Sequence, residues 1–281
     1  MKKQSVIKLS PSNVLITVVC LFFCALSILP VWMMIVNATR STKEILGGIS
    51  LIPSTHLIEN WVGLSSKDLQ PMLAFRNSIT IALIATVLSV YFSSLTAFAL
   101  ITYEFKLKKF MNGFVIAAML IPGVIGMIGF YRFMYMLGLS NSFIPFTVSA
   151  IAAPSCVFFM RQYLIGTMQI SIIESARLDG AKEFVIFNRI VFPLMKPALA
   201  TQAIFSFVGS WNNFVTPSIL LTDQNKITLP LFLLRLNSDV YRKEYGQSYL
   251  GVCLCLVPII IIYLIFSRSI IEGVGIGAIK E

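Results

Sequence analysis

The sequence predicts an all-α integral membrane protein with six transmembrane helices and a cytoplasmic helix-turn-helix between the fourth and the fifth. Three observations carry that prediction. The 281 residues are 57% hydrophobic and only 12% charged, with a mean hydropathy of +0.85; an ordinary soluble domain carries about twice that charged fraction. Six apolar stretches, roughly 14–36, 77–102, 111–137, 143–166, 197–221 and 248–267, punctuate the chain, and about 20 apolar residues suffice to cross the hydrocarbon core as a helix. None of them shows the alternation of a membrane β-strand, so the backbone must satisfy its hydrogen bonds within each helix. Finally, a polar interruption from Glu174 to Pro197 separates the fourth stretch from the fifth.

The first stretch follows Lys2, Lys3 and Lys8, as a signal peptide would. It runs too long for one and has no small-residue cleavage site, so a retained helix is expected. Residues 37–76 then form a loop longer than a connector needs, with Gly47, Gly48, Pro53 and Trp61 suggesting an ordered flap and a solvated connector as the alternative. The third stretch contains Pro122, Gly123, Gly126 and Gly129, which weaken a helix and serve either a hinge or a packing groove. A second long loop, 222–247, carries mixed charge in Asp223, Lys226, Asp239, Arg242, Lys243 and Glu244. The expected division is residues 1–76 as tail, first helix and outer loop, 77–267 as a five-helix core, and 268–281 as a cytoplasmic tail.

Six spans put both termini on one side together with the 103–110 and 167–196 loops. Lysine and arginine concentrate there, most clearly in the short EFKLKKF loop, so that side is expected to be cytoplasmic. The net charge of +10 is then mainly a topology signal. It does not indicate nucleic acid, because no basic patch with interleaved aromatics stands outside the spans.

Several chemistries are disfavoured. Cys20, Cys24, Cys156, Cys253 and Cys255 all lie in apolar runs and read as packing residues. His56 is the single histidine, no metal-ligand spacing occurs, and no GxxxxGK[ST] loop is present to bind ATP by that route. A membrane-embedded enzyme fails for want of a catalytic set.

The polar interruption reads ESARLDGAKEFVIFNRIVFPLMKP. Ser171 with Glu174 three residues on fits a capping box opening a helix over Ile172–Leu178. The small pair Ser175-Ala176 permits close approach of another surface, and Gly180 can take positive φ and end the helix. A second helix is expected from about Ala181, with Phe184, Val185, Phe187, Ile190 and Val191 at near-helical spacing. Pro193 and Pro197 bracket entry to the fifth span. Physically this is a docking element, with an amphipathic loop resting at the membrane interface as the competing reading.

Residues Glu174-Ser175-Ala176, Gly180, Ile190 and Pro193 match the E-A-A…G…I-x-L-P signature of ABC importer permeases. Asp179 and Ala181 complete the E-A-x-x-D-G-A form of the sugar permeases; Ser175 for Ala and Phe192 for Leu are mild departures. Asn77-Ser78-Ile79 resembles the opening of the family's core domain. Trp211-Asn212-Asn213-Phe214 with Pro217 and Leu229-Pro230-Leu231 resembles its W-N-[DEN]-F…P…L-P-L pattern. The tail from Gly273 to Lys280 resembles a terminal G-x-x-x-G-A-[VI]-K. Over nearly its whole length the chain is similar to the smaller, six-helix permease of maltose-type carbohydrate importers.

That resemblance implies a heteromeric machine in a prokaryotic cell membrane. Its other parts would be a second homologous permease, two copies of an ATP-binding subunit carrying ATP and Mg, and an extracytoplasmic solute-binding protein; this chain would hold no cofactor. It implies that Glu174, Ser175, Ala176, Asp179, Gly180, Ile190 and Pro193 couple to an ATPase subunit, with Gly277 and Lys280 of the tail reaching the same partner. Sugar paths need aromatic faces and amides, which makes Trp211, Asn212, Asn213, Tyr131 and Tyr135 candidates, together with Arg132. Interhelical packing for the Asn and Trp residues and snorkelling for Arg132 remain alternatives. The expected function is carbohydrate import by ATP-coupled alternating access. Glycerol phosphate, a polyol or a peptide as cargo is the runner-up, and an autonomous transporter ranks behind it.

Overall fold

A computed structural model describes residues 11–66, 70–238 and 243–278, all helix, turn and connecting loop. Among the described residues, four helices are long and apolar enough to cross a membrane: Asn13–Ala38, Pro71–Thr102, Ile144–Thr167 and Tyr245–Phe266. Two further spans are obtained only by counting bent pairs as single crossings. These are Lys108–Leu120 with Ile125–Met136, bent by 104°, and Glu183–Leu194 with Lys196–Leu220, bent by 82°. The third span is therefore not the straight 111–137 helix that apolarity alone suggested. Ile121 and Pro122 take extended backbone between α5 (Lys108–Leu120) and α6 (Gly123–Met136), because proline biases the residue before it out of the helical region.

The chain divides into two compact units. One comprises residues up to Asp68 with Leu236–Leu254. It contains α1 (Pro11–Ala38), α2 (Thr42–Leu46), α3 (Leu57–Ser65) and the first turns of a long helix whose remainder belongs to the other unit. Buried polar contacts organise it. Asn60 Nδ2 donates to the carbonyls of Ala38 (2.9 Å) and Arg40 (3.0 Å), closing the end of α1. The Arg40 guanidinium reaches Asn37 Oδ1 (3.1 Å) and the carbonyls of Glu44 (2.5 Å) and Gly48 (3.1 Å). Its charge thus answers orphan acceptors at the end of α2. Gly246 packs so closely on the Arg40 carbonyl and the Asn60 carboxamide that any Cβ there would collide with backbone.

The second unit comprises Leu69–Arg235 with Cys255–Glu281. Its centre is α4 (Pro71–Thr102), which packs against α8 (Pro154–Thr167) and α12 (Lys196–Trp211). Ala74, Ala82, Ala85, Ser89, Ser93, Ser94 and Ala97 form its buried side. Small residues of this kind let helix backbones approach where lipid supplies no hydrophobic drive between helices. The elements α7 (Ile144–Val148), α9 (Ile170–Leu178), α10 (Glu183–Ile186), a π-helical turn at Phe187–Val191, α11 (Phe192–Leu194), α13 (Val215–Leu220) and α14 (Leu229–Leu236) complete the described part, with α15 running Tyr245–Ala278. Helix therefore continues well past residue 267, where the sequence suggested a tail.

One core lies beneath the polar interruption. Phe98 and Leu164 meet Met160, Ile173, Ile186, Phe187, Val191 and Met195 there. The Phe187 ring contacts Tyr91, Phe98 and Phe192 at centroid distances of 5.6–5.8 Å. Ile186, Phe187 and Val191 are all buried, and the π turn aligns them on a narrower face than a regular 3.6-residue repeat would. It immediately precedes Pro193, whose ring clashes with the carbonyl four residues back in a regular helix. Replacing Phe187 by Ala should cost about 3–5 kcal/mol, the range for a buried aromatic truncation, read as a lower thermal midpoint of the purified complex.

Candidate coupling element and solute cavity

The helix-turn-helix is present, but its first helix begins differently from the expected capping box. α9 starts at Ile170 behind Gln169, which is extended at φ −92°, ψ 121° and gives no side-chain cap. Ser171 is already inside the helix, where its carbonyl accepts from Ser175 Oγ at 2.9 Å. The S-x-x-E box forms instead at Ser41 and Glu44, because Ser41 takes the extended backbone that a cap needs. At the other end Gly180 behaves as expected, with φ +79°. Its N–H donates to the Arg177 carbonyl and the Ala181 N–H to the Ala176 carbonyl, both at 3.0 Å. These two bonds are the reciprocal pair of a Schellman motif, and the packing of Ala181 against the core that holds Ala176 completes it.

Within α9, Ile173 and Ala176 are buried while Glu174, Ser175, Leu178, Asp179 and Gly180 are exposed. The small pair is thus split, with Ala176 packing inward and Ser175 facing out. Leu178 is 89% exposed and Phe184 66%, an apolar surface beside the turn. Ile190 packs against the core and Pro193 is exposed. Gly277 lies in the last turn of α15, and Lys280 lies outside the described residues.

A clasp that pattern reading missed holds the turn. Arg177 donates to Glu183 from Nε at 2.6 Å and from Nη2 at 3.2 Å, and Tyr103 OH donates to Glu183 Oε2 at 2.7 Å. The guanidinium also lies 5.5 Å from the centroid of the Tyr103 ring. The Arg177 hydrogen bonds hold the Glu183 carboxyl below its usual range, outweighing the opposing effect of partial burial. The partnership with Glu183 likewise raises Arg177. Burial first, then the Glu183 contact, raises Tyr103.

The sugar-path candidates separate. The Trp211 indole is 1% exposed, lies over Phe207 at 5.8 Å and 11°, and donates from Nε1 to the Cys255 carbonyl at 3.0 Å. That carbonyl stands three residues before Pro258, which interrupts the ladder of α15. Trp211 is therefore a packing residue, and Asn212 is exposed beyond the end of α12. Tyr131, Arg132 and Tyr135 line a separate hollow of about 350 Å³ on α6.

Asn213 alone among them lines the main cavity, of about 660 Å³. That space lies where two spans break: Gly123 and Gly126 just after Pro122, Asn213 between α12 and α13, and Thr216 and Pro217 in the first turn of α13. Non-helical backbone at membrane depth is tolerated where it lines such a cavity. Ser78, Ser149, Ser210 and Thr228 add hydroxyls, Phe130 and Phe146 add ring faces, and among the described residues no charged side chain lines it. Thr228 Oγ1 is buried without a hydrogen-bond partner among the described residues. Its segment is stapled to α4 by Asn77, whose Nδ2 donates to the carbonyls of Asn225 (2.9 Å) and Ile227 (3.0 Å). Ser78 Oγ accepts from Leu229 N at 2.7 Å. The only signals for this cavity in the sequence are the Pro-Gly and Asn-Asn interruptions of otherwise apolar runs.

The clasp has a pH signature. Because Glu183 is depressed in the folded state, its contribution is complete above about pH 4.3, the ordinary carboxyl value, and is lost as pH falls through the folded value. Both partners are about a third or more exposed, so Glu183→Gln should cost no more than about 1 kcal/mol. The gap in thermal midpoint between that variant and the parent should be present at pH 7 and shrink as pH drops below 4.

Residues 89–274 match the family described as binding-protein-dependent transport system inner membrane component. The arabinooligosaccharides transport system permease protein AraQ of Halalkalibacterium halodurans is 34% identical over 95% of this chain and 96% of its own. The lactose transport system permease protein LacG of Rhizobium radiobacter is 29% identical over 91% of this chain and 92% of its own. Among solved structures, a chain of a bacterial ABC transporter involved in import of the acidic polysaccharide alginate superposes with a TM-score of 0.81. It is 21% identical and covers 93% of this chain and 98% of that one, a match of fold. With breaks in two spans, a Gly180 turn on a packed core and this match over most of its length, the chain belongs to the binding-protein-dependent transport system inner membrane components, the multi-pass permeases of ABC importers.

Proposed function

We propose that this chain is the permease subunit through which a neutral oligosaccharide enters the cell by ATP-driven alternating access. The uncharged cavity of about 660 Å³, lined by hydroxyls, one carboxamide and two phenyl rings, carries the reading. Hydroxyls and amides exchange hydrogen bonds with a polyol, and ring faces pack on its C–H surfaces. A phosphate or other anionic cargo would call for a cation in the lining, so glycerol phosphate is disfavoured. The AraQ and LacG relatives, named for arabinooligosaccharide and lactose transport, point the same way.

In this reading an extracytoplasmic solute-binding protein delivers the sugar, a second homologous permease completes the path, and two ATP-binding subunits carry ATP and Mg. Both termini and the 167–196 loop face the cytoplasm. The exposed side of α9, with Glu174, Ser175, Asp179 and Leu178, enters a cleft of one ATPase subunit, and Gly180 sets the angle of entry. Ala176 and Ile190 act behind that surface by fixing the element to the core, Pro193 sets the entry to the following helix, and the Gly277–Lys280 tail reaches the same subunit.

Two variant pairs test this. Gly180→Ala and Gly180→Trp carry the same backbone strain of about 1–2 kcal/mol, and a Cβ at this position meets nothing within 4 Å. The Trp variant should therefore lose sugar-stimulated ATP hydrolysis far beyond the Ala variant; equal activities would sink the docking role. Thr228→Val should weaken uptake roughly 2- to 10-fold, the worth of one hydrogen bond, with an unchanged thermal midpoint. Trp211→Ala should instead lower the midpoint and the yield of complex.

A further inference from the structure

We propose that residues 46–52 form an apolar foot that inserts into the lipid interface at the C-terminal end of the first span. The geometry begins at Trp32. Its Nε1 donates to the Leu51 carbonyl at 3.0 Å, so the chain leaving α1 doubles back along it. Six residues separate Trp32 from the helix end at Ala38, about 9 Å of rise. The span Asn13–Ala38 has 26 residues, about 39 Å of helix against roughly 30 Å of hydrocarbon. Overhang at this end therefore places Trp32 near the hydrocarbon boundary, the level that indole rings prefer. Leu51 is tied to that level.

Around it the chain is apolar and open. Leu46 is 69% exposed, Ile49 84% and Ile52 77%, and residues 45–55 contain no charged side chain. The polar side of the same loop is held elsewhere: Arg40 binds Asn37 and two carbonyls, and Ser54 donates to Glu44 Oε1 at 3.1 Å beside His56. The loop is thus divided into a hydrogen-bonded polar side and an aliphatic tip.

Lipid fits that tip better than a protein partner does. Apart from Ser50, whose hydroxyl donates to the Ile52 carbonyl, the side chains of the tip are Leu and Ile, whereas protein contacts concentrate their affinity in Trp, Tyr and Arg. It is also continuous with α1, whose residues from Asn13 to Leu29 are exposed on every face. An amphipathic segment with one aliphatic side lies naturally in the headgroup–acyl boundary.

The test uses the complete transporter in lipid nanodiscs, with the five native cysteines replaced by Ala and a nitroxide placed by Ile49→Cys or Ile52→Cys. Phe22→Cys on α1 and Glu59→Cys on α3 supply lipid and water references. The expected result is an oxygen-to-nickel accessibility ratio close to that at Phe22 and several-fold above that at Glu59. A ratio like that at Glu59 would place the foot in water. Low access to both relaxants would place it against protein, and either outcome overturns the proposal. A benzophenone amino acid at Ile52 in the otherwise unaltered chain gives a second reading. Lipid adducts support the foot, and a protein adduct refutes it.

Discussion

In hydrocarbon, a backbone N–H or C=O without a partner costs several kcal/mol, and the membrane part of this chain is arranged around that constraint. α4 answers it within itself, and α15 does so except around Pro258, where the Trp211 indole serves the nearby Cys255 carbonyl. Where the ladder stops, at Ile121–Pro122 and at Asn212–Phe214, the neighbouring Gly123 and Gly126 and the intervening Asn213 line a cavity. The 222–229 segment has no ladder of its own and borrows partners from side chains. Asn77 serves two of its carbonyls, Ser78 one N–H, and Asn141, at φ +56°, accepts from Asp223 N at 3.1 Å. These polar side chains are therefore structural, even Ser78, which also lines the cavity.

At the other pole of the same unit the ordering principle is packing. Phe187 and its aromatic neighbours build a floor on which α9 lies, leaving the helix only one free side. The Schellman bonds fix where that helix stops, and the clasp joins the turn to the end of α4. Force applied to the exposed side of α9 thus has a continuous path of close contacts into the central helix.

Features set by one residue or a short period were legible in the sequence. The apolar stretches located the spans, Gly180 announced a left-handed turn, and Pro122 with its glycines marked a weakened helix. Features that join distant positions were not. Tyr103 and Glu183 stand 80 positions apart, and Asn77 reaches 150 residues to Ile227, so no local pattern reveals either pair. The S-x-x-E pattern occurs at both Ser41 and Ser171, and only backbone conformation decides which serine caps a helix. Trp211 and Asn213 sit two residues apart in one motif, yet the end of α12 turns one into the core and the other to the cavity. Residue type made both of them candidates and could not tell them apart.

The π turn at Phe187–Val191 has a consequence for how the helix-turn-helix is aimed. An α-helix advances its azimuth by about 100° per residue, and a π turn accommodates one residue more than the regular repeat. The segment before it, carrying Glu183 and Phe184, is therefore out of phase by about one residue with the segment after it. The heading of that surface is set by counting residues along the chain as much as by contacts. A single deletion within the turn would re-aim the element while leaving its composition almost untouched.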